Sequence, residues 1–327
     1  VGEAPALTVE RPAVWVEGAY RRSGRGSLSV TLIPMDGEGR LSYRQSVHVL
    51  REGRRPLRAA DGFEGLRALW AEPTHLSAYV ALPGAARAAA VRLASALVTV
   101  LGHPGGARLR RSAYVPMKRP RDGFVAREKL SAAYLAKQLQ GASHLSVALE
   151  DERHAVIDAV GIHVPGAELA EQDEALHVTF TAALGPRSPA ERRRLASALD
   201  AALDALAGAT ALHQAFVARS SRAWSAAGAL PYETACGVHG QCTERSAWVE
   251  RWLRVVSPTV WLGPALASRV DRDALAAAAE VEALGAGVLR LRTPEEELDR
   301  LEAALAAILP GEADWEAGVA HPYDRGV

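Results

Sequence analysis

The chain has 327 residues, with 38 Lys+Arg against 38 Asp+Glu, so its formal net charge at neutral pH is zero. A protein that grips nucleic acid through phosphates carries a basic excess; none exists here, and no nucleic-acid partner is expected. A hydrophobic share of 49% with 23% charged residues excludes wholesale disorder, and the length accommodates about two domains.

The first third reads as strands. Ala13 to Tyr20 and Ser27 to Met35 flank Ser23-Gly24-Arg25-Gly26, and Met35 to Gly39 reads as a turn. Leu41 to Leu50 is a further strand, Phe63 to Trp70 has helical spacing, and His75 to Leu82 is again strand-like. A helix is predicted from Ala85 to Leu101, stopped by Gly102-His103-Pro104-Gly105-Gly106. Leu109 to Val115 reads as a strand, Pro116 to Gly123 as a polar loop, and Arg127 to Leu139 as a helix.

The pattern then returns. Leu145 to Glu150, Ala155 to Val164 and Leu176 to Leu184 read as strands. Ser188-Pro189-Ala190-Glu191 opens a helix, with Ser as N-cap, Pro at N1 and Glu at N3, and the helix runs to about Leu206. Leu212 to Ala218 follows as a strand. A third echo comes near the end, with a strand over Ala286 to Arg292 and a helix from Thr293-Pro294-Glu295-Glu296 to Leu309.

A constant offset of 102 lays the second set on the first. His75 falls on His177, and Arg92-Leu93-Ala94-Ser95-Ala96-Leu97 falls on Arg194-Leu195-Ala196-Ser197-Ala198-Leu199. The expected fold is therefore α+β: two similar lobes of antiparallel strands with helices on one face, plus a C-terminal helix/strand/helix extension. The lobes are assigned to residues 1–125 and 126–225, and a Trp-rich extension packing on them to 226–327.

Two cysteines are too few for a disulfide framework in a chain this long. No apolar run approaches the roughly 18 residues of a spanning helix, so no membrane span is expected. The first residues lack a basic and an apolar leader region; a cytoplasmic protein is expected, and a removed leader stays open.

The sequence lacks a phosphate-binding Gly-rich loop, a dinucleotide fingerprint, a His-Glu-x-x-His pair and a nucleophile elbow. No catalytic residue is assigned. Its most specific local feature is Cys236-Gly237-Val238-His239-Gly240-Gln241-Cys242. Cys236, His239 and Cys242 supply three donors of the type zinc takes, one short of a structural site, with Glu233 a candidate fourth. The competing reading is two thiols, free or joined, and a solvated loop histidine. No cofactor is expected, and zinc is the single candidate. Among the other histidines, His48, His163 and His177 sit inside strand patterns, where a solvated strand face explains them without a ligand.

The segment from Ser246 to Leu266 is richest in large side chains. Trp248 and Trp252 are four apart on one helix face, and Arg251, Arg254 and Trp261 accompany them. Arg with Trp is the composition of interface hot spots, so these five residues are the candidate partner-binding set. Aromatic packing between the lobes is the alternative.

Trp248 and its helix, then Trp261-Leu262-Gly263-Pro264-Ala265-Leu266 and the strand Gly287 to Arg292, resemble the C-terminal part of the bacterial type VI secretion immunity protein family. That resemblance implies a non-enzymatic module that binds a cognate protein partner, a delivered toxin, and neutralises it. Two other readings stand beside it. One is an enzyme or enzyme relative with a cleft between the lobes, in which His75 and His177, or His48 and His163, would converge. The other is a zinc-stabilised scaffold. A homo-oligomer is compatible with each.

Overall fold

The computed structural model describes residues 14–21, 27–34, 75–101, 107–115, 118, 120–150, 156–164, 175–185, 187–220, 246–254 and 256–309. The turn expected at 35–39, the strand at 41–50, the helix at 63–70 and the residues Cys236, His239 and Cys242 lie outside these.

Strands β1 (Val14–Arg21) and β2 (Ser27–Pro34) form an antiparallel ladder of their own. The next ten strands are β3 (His75–Leu82), β4 (Arg108–Tyr114), β5 (Arg121–Phe124), β6 (His144–Glu150), β7 (Val156–His163) and β8 (Leu176–Ala183), then β9 (Gln214–Ser220), β10 (Thr259–Leu262), β11 (Glu280–Ala283) and β12 (Leu289–Arg292). They join one sheet in the order β11-β12-β10-β9-β3-β8-β7-β6-β4-β5, with every neighbouring pair antiparallel. Strands from all three expected segments thus enter a single α+β sheet.

Three helices from the first two segments cover one face: α1 (Arg87–Val100), α2 (Ala132–Gln138) and α3 (Pro189–Ala209). In α3, Leu195, Leu199, Leu203 and Leu206 are buried at helical spacing, and they meet Leu76, Val80, Val178 and Phe180 in one core. The extension supplies α4 (Ser246–Arg251), α5 (Pro264–Ala267), α6 (Arg272–Ala278) and α7 (Leu298–Ala304). Their side chains form a second core with Tyr79, Phe216, Val260, Leu262 and Leu291 on the opposite face. Alternation in β3, β9 and β10 therefore feeds two cores, one per face.

At the centre lies a split βαβ arrangement. β8 and β9 flank β3, and both run antiparallel to it, joined through α3. β3, α1, β7, β8, α3 and β9 follow each other in chain order, with β4, β5, α2 and β6 inserted between α1 and β7. The 102-residue offset maps β3 onto β8 and α1 onto α3 with faces preserved: Leu93 and Leu97 are buried like Leu195 and Leu199. The third matched strands differ in position, since β4 lies between β6 and β5 whereas β9 lies between β3 and β10.

Local signals explain most helix ends. Ser188 and Glu191 form the expected capping box, and the two hydrogen bonds to Ser188 hold the Glu191 carboxyl below its ordinary range. The helix expected from Arg127 starts later, because Ser131 is the residue whose side chain accepts from the Tyr134 N–H. Thr293 does not cap the last helix. Its hydroxyl donates to the Ala278 carbonyl at 3.1 Å, and α7 begins only at Leu298.

Candidate functional site

Gln214 organises the candidate binding segment from behind. It opens β9, is fully buried, and faces the second core. Its Nε2 donates to the carbonyls of Val249 (3.0 Å) and Trp252 (2.8 Å), and its Oε1 accepts from the Arg254 N–H (2.8 Å). A helix leaves its last carbonyls without partners, and this one amide satisfies two of them at the end of α4. It fixes the chain direction through Trp252.

The five predicted partner-binding residues separate accordingly. Trp248 and Trp261 are buried, in the second and first core respectively. Arg254 is buried too, with its guanidinium 4.6 Å from the centroid of the Tyr79 ring. Arg251 is exposed and Trp252 half-buried. The guanidinium of Arg251 lies 4.9 Å from the Trp252 centroid, and that of Arg269 lies 5.2 Å from it. Arg269 is anchored by donating to the carbonyls of Arg251 and Ala307. A partly solvated indole with two cations over its ring is a cation–π arrangement that leaves charge and apolar surface together at the protein's exterior.

Five of the six positions of Trp261-Leu262-Gly263-Pro264-Ala265-Leu266 have a structural task. The Trp261 indole N–H donates to Asp204 on α3 at 2.9 Å, and Leu262 and Leu266 fill the second core. A Cβ on Gly263 would sit 1.9 Å from the Leu212 carbonyl oxygen, so no other residue fits. Pro264 starts α5 at N1. Arg290, cross-strand from Trp261, pairs with both Asp204 and Glu282.

Beside this network a cleft of about 530 Å³ opens between β12, α6 and α3, lined by Asp200, Thr259, Glu280, Arg292 and Glu297 among others. Arg292 pairs with Asp200 at 3.0 Å. Burial raises the Asp200 carboxyl above its ordinary range, against the pull of Arg292.

His75 and His177 do not converge as the interlobe-cleft reading requires. His75 pairs in register with Ala183 and His177 with Ala81, so the two stand at opposite ends of the β3–β8 ladder. His48 lies outside the described residues. Register instead aligns His144, His163 and His177 across β6, β7 and β8, as direct cross-strand partners. Their ring centroids are 6.4 and 6.2 Å apart. The row ends on Tyr79, whose hydroxyl is 2.6 Å from His177 Nδ1. Burial, then the neighbouring His163, pushes His144 down to about 4, and burial also lowers His163. Among the described residues no three ligating side chains form a metal-holding group.

Sequence reasoning missed Gln214, Arg269 and His144. The amide at Gln214 is legible as a polar residue entering the apolar run to Ala218. His144 becomes visible only once β6 and β7 are paired, because the ladder register places it opposite His163.

No family model matches the sequence, and no curated protein matches it. Among solved structures, a T6SS protein of Pseudomonas aeruginosa aligns with a TM-score of 0.46 and 14% identity, over 72% of this chain and 77% of that one. Among the described residues no helix is long and apolar enough to cross a membrane.

Proposed function

We propose that the chain is a non-enzymatic binding protein that sequesters a cognate protein partner, and that this partner is a toxin delivered by type VI secretion. The observation that carries this reading is the Trp252 cluster. A large ring is left partly exposed with two arginine guanidiniums over it, and its backbone is pinned by Gln214. Trp and Arg dominate interface hot spots, and an anchor already fixed in place loses little conformational freedom on binding. The resemblance of Trp261–Leu266 and Gly287–Arg292 to the immunity family points the same way.

Co-purification with the product of the adjacent gene tests it, followed by calorimetric titration. A stoichiometric complex is expected, and Trp252→Ala should weaken Kd by roughly 30-fold or more in a variant that stays folded. A neighbour unrelated to toxins or secretion, or an unchanged Kd in Trp252→Ala, overturns the proposal.

A further inference from the structure

We propose that the row of His144, His163 and His177 is an acid-operated latch: near neutrality the uncharged rings hold one face of β6, β7 and β8 closed, and protonation of His144 and His163 parts it. The geometry carries this. Three adjacent strands present imidazoles at one level of the ladder, with centroids 6.4 and 6.2 Å apart, and Tyr79 anchors the far ring. Charged rings at that spacing on a partly buried face would repel each other.

Among the described residues, the groups beside the row are uncharged or positive. Beside His144 stands Tyr114 of β4, and beyond His177 stands Tyr79 of β3, with His75 at the far end of that strand. Arg254, over the Tyr79 ring, adds positive charge at that end. The described carboxylates of β5 and β6 have partners of their own. Glu150, at the far end of β6, pairs with Arg110 at 3.3 Å, and Asp122 of β5 accepts from the Ser112 hydroxyl at 2.6 Å and lies 3.6 Å from Arg110. Arg108, opposite Glu150, lies over the Phe124 ring.

An opened face returns both imidazoles to water and their ordinary proton affinity, so opening takes up protons. Below about pH 6.5 the open population should rise by up to roughly tenfold per pH unit for each histidine that protonates on opening.

Hydrogen exchange followed by mass spectrometry, corrected for the intrinsic rate, reads this directly. Between pH 7 and pH 5, exchange in β6 and β7 is expected to accelerate at least tenfold, while β10 and β12 stay protected. The double variant His144→Gln/His163→Gln should lose the acceleration, and His75→Gln should keep it. Equal protection at both pH values, or wild-type acceleration in the double variant, overturns the proposal. Should that variant fail to fold, NMR titration of the wild-type imidazoles decides: midpoints at or above 6.5 for His144 and His163 overturn it.

Discussion

Trp261 donates its indole N–H to Asp204, 57 positions away in sequence, and thereby ties β10 of the C-terminal extension to α3 of the preceding segment. The same carboxylate receives Arg290 from β12. Trp261→Phe keeps most of the ring and removes the donor. It should cost about 1–3 kcal/mol, read as a lower denaturant midpoint at unchanged slope.

Two glycines should respond with opposite sign. Gly263→Ala drives a methyl into the Leu212 and His213 carbonyls and should destabilise by about 1–3 kcal/mol or more. Gly208 lies near the end of α3 with open space around a prospective Cβ, and Gly208→Ala should stabilise by up to about 1 kcal/mol. Thermal melts of the two variants check both signs.

Gln214→Leu would strip the partners from two carbonyls and one amide at the end of α4. A loss of roughly 3 kcal/mol is expected, about 1 per orphaned group. Quenching of the Trp252 fluorescence in single-Trp variants should rise as the segment loosens.

Stability should fall in acid. His144 and His163 have folded affinities below the ordinary 6.5, so the folded state disfavours their protonation. Their contribution is fully present above about pH 6.5 and is lost as pH falls through their folded values, about 4 for His144. Asp200 runs the other way: its raised affinity costs stability at neutral pH, and that cost fades in acid. Urea midpoints between pH 7 and pH 4 should therefore drop less in His144→Gln, and more steeply in Asp200→Asn, than in the wild type.

The α+β class and the Ser188 cap were legible because period, spacing and cap chemistry are local. The short strands β5, β10 and β11 were not. Each has four residues, too few to show alternation, and each is defined by its ladder rather than by its own composition. The same limit applied to the binding segment. Trp248, Trp252 and Trp261 look alike in sequence, and only the two-faced burial of the sheet sorts the buried pair from the half-exposed Trp252.

The split arrangement around β3 sets an order of events on the ribosome. Among the described residues β3 is the first strand of the large sheet to be synthesised, yet its partners are β8 and β9. Its apolar residues on both faces must wait until the chain has been made through Ser220 before either ladder is complete. Such non-local pairing slows folding and leaves an open strand exposed to other chains. A nascent chain stalled before β8 is therefore the form of this protein most in need of a chaperone.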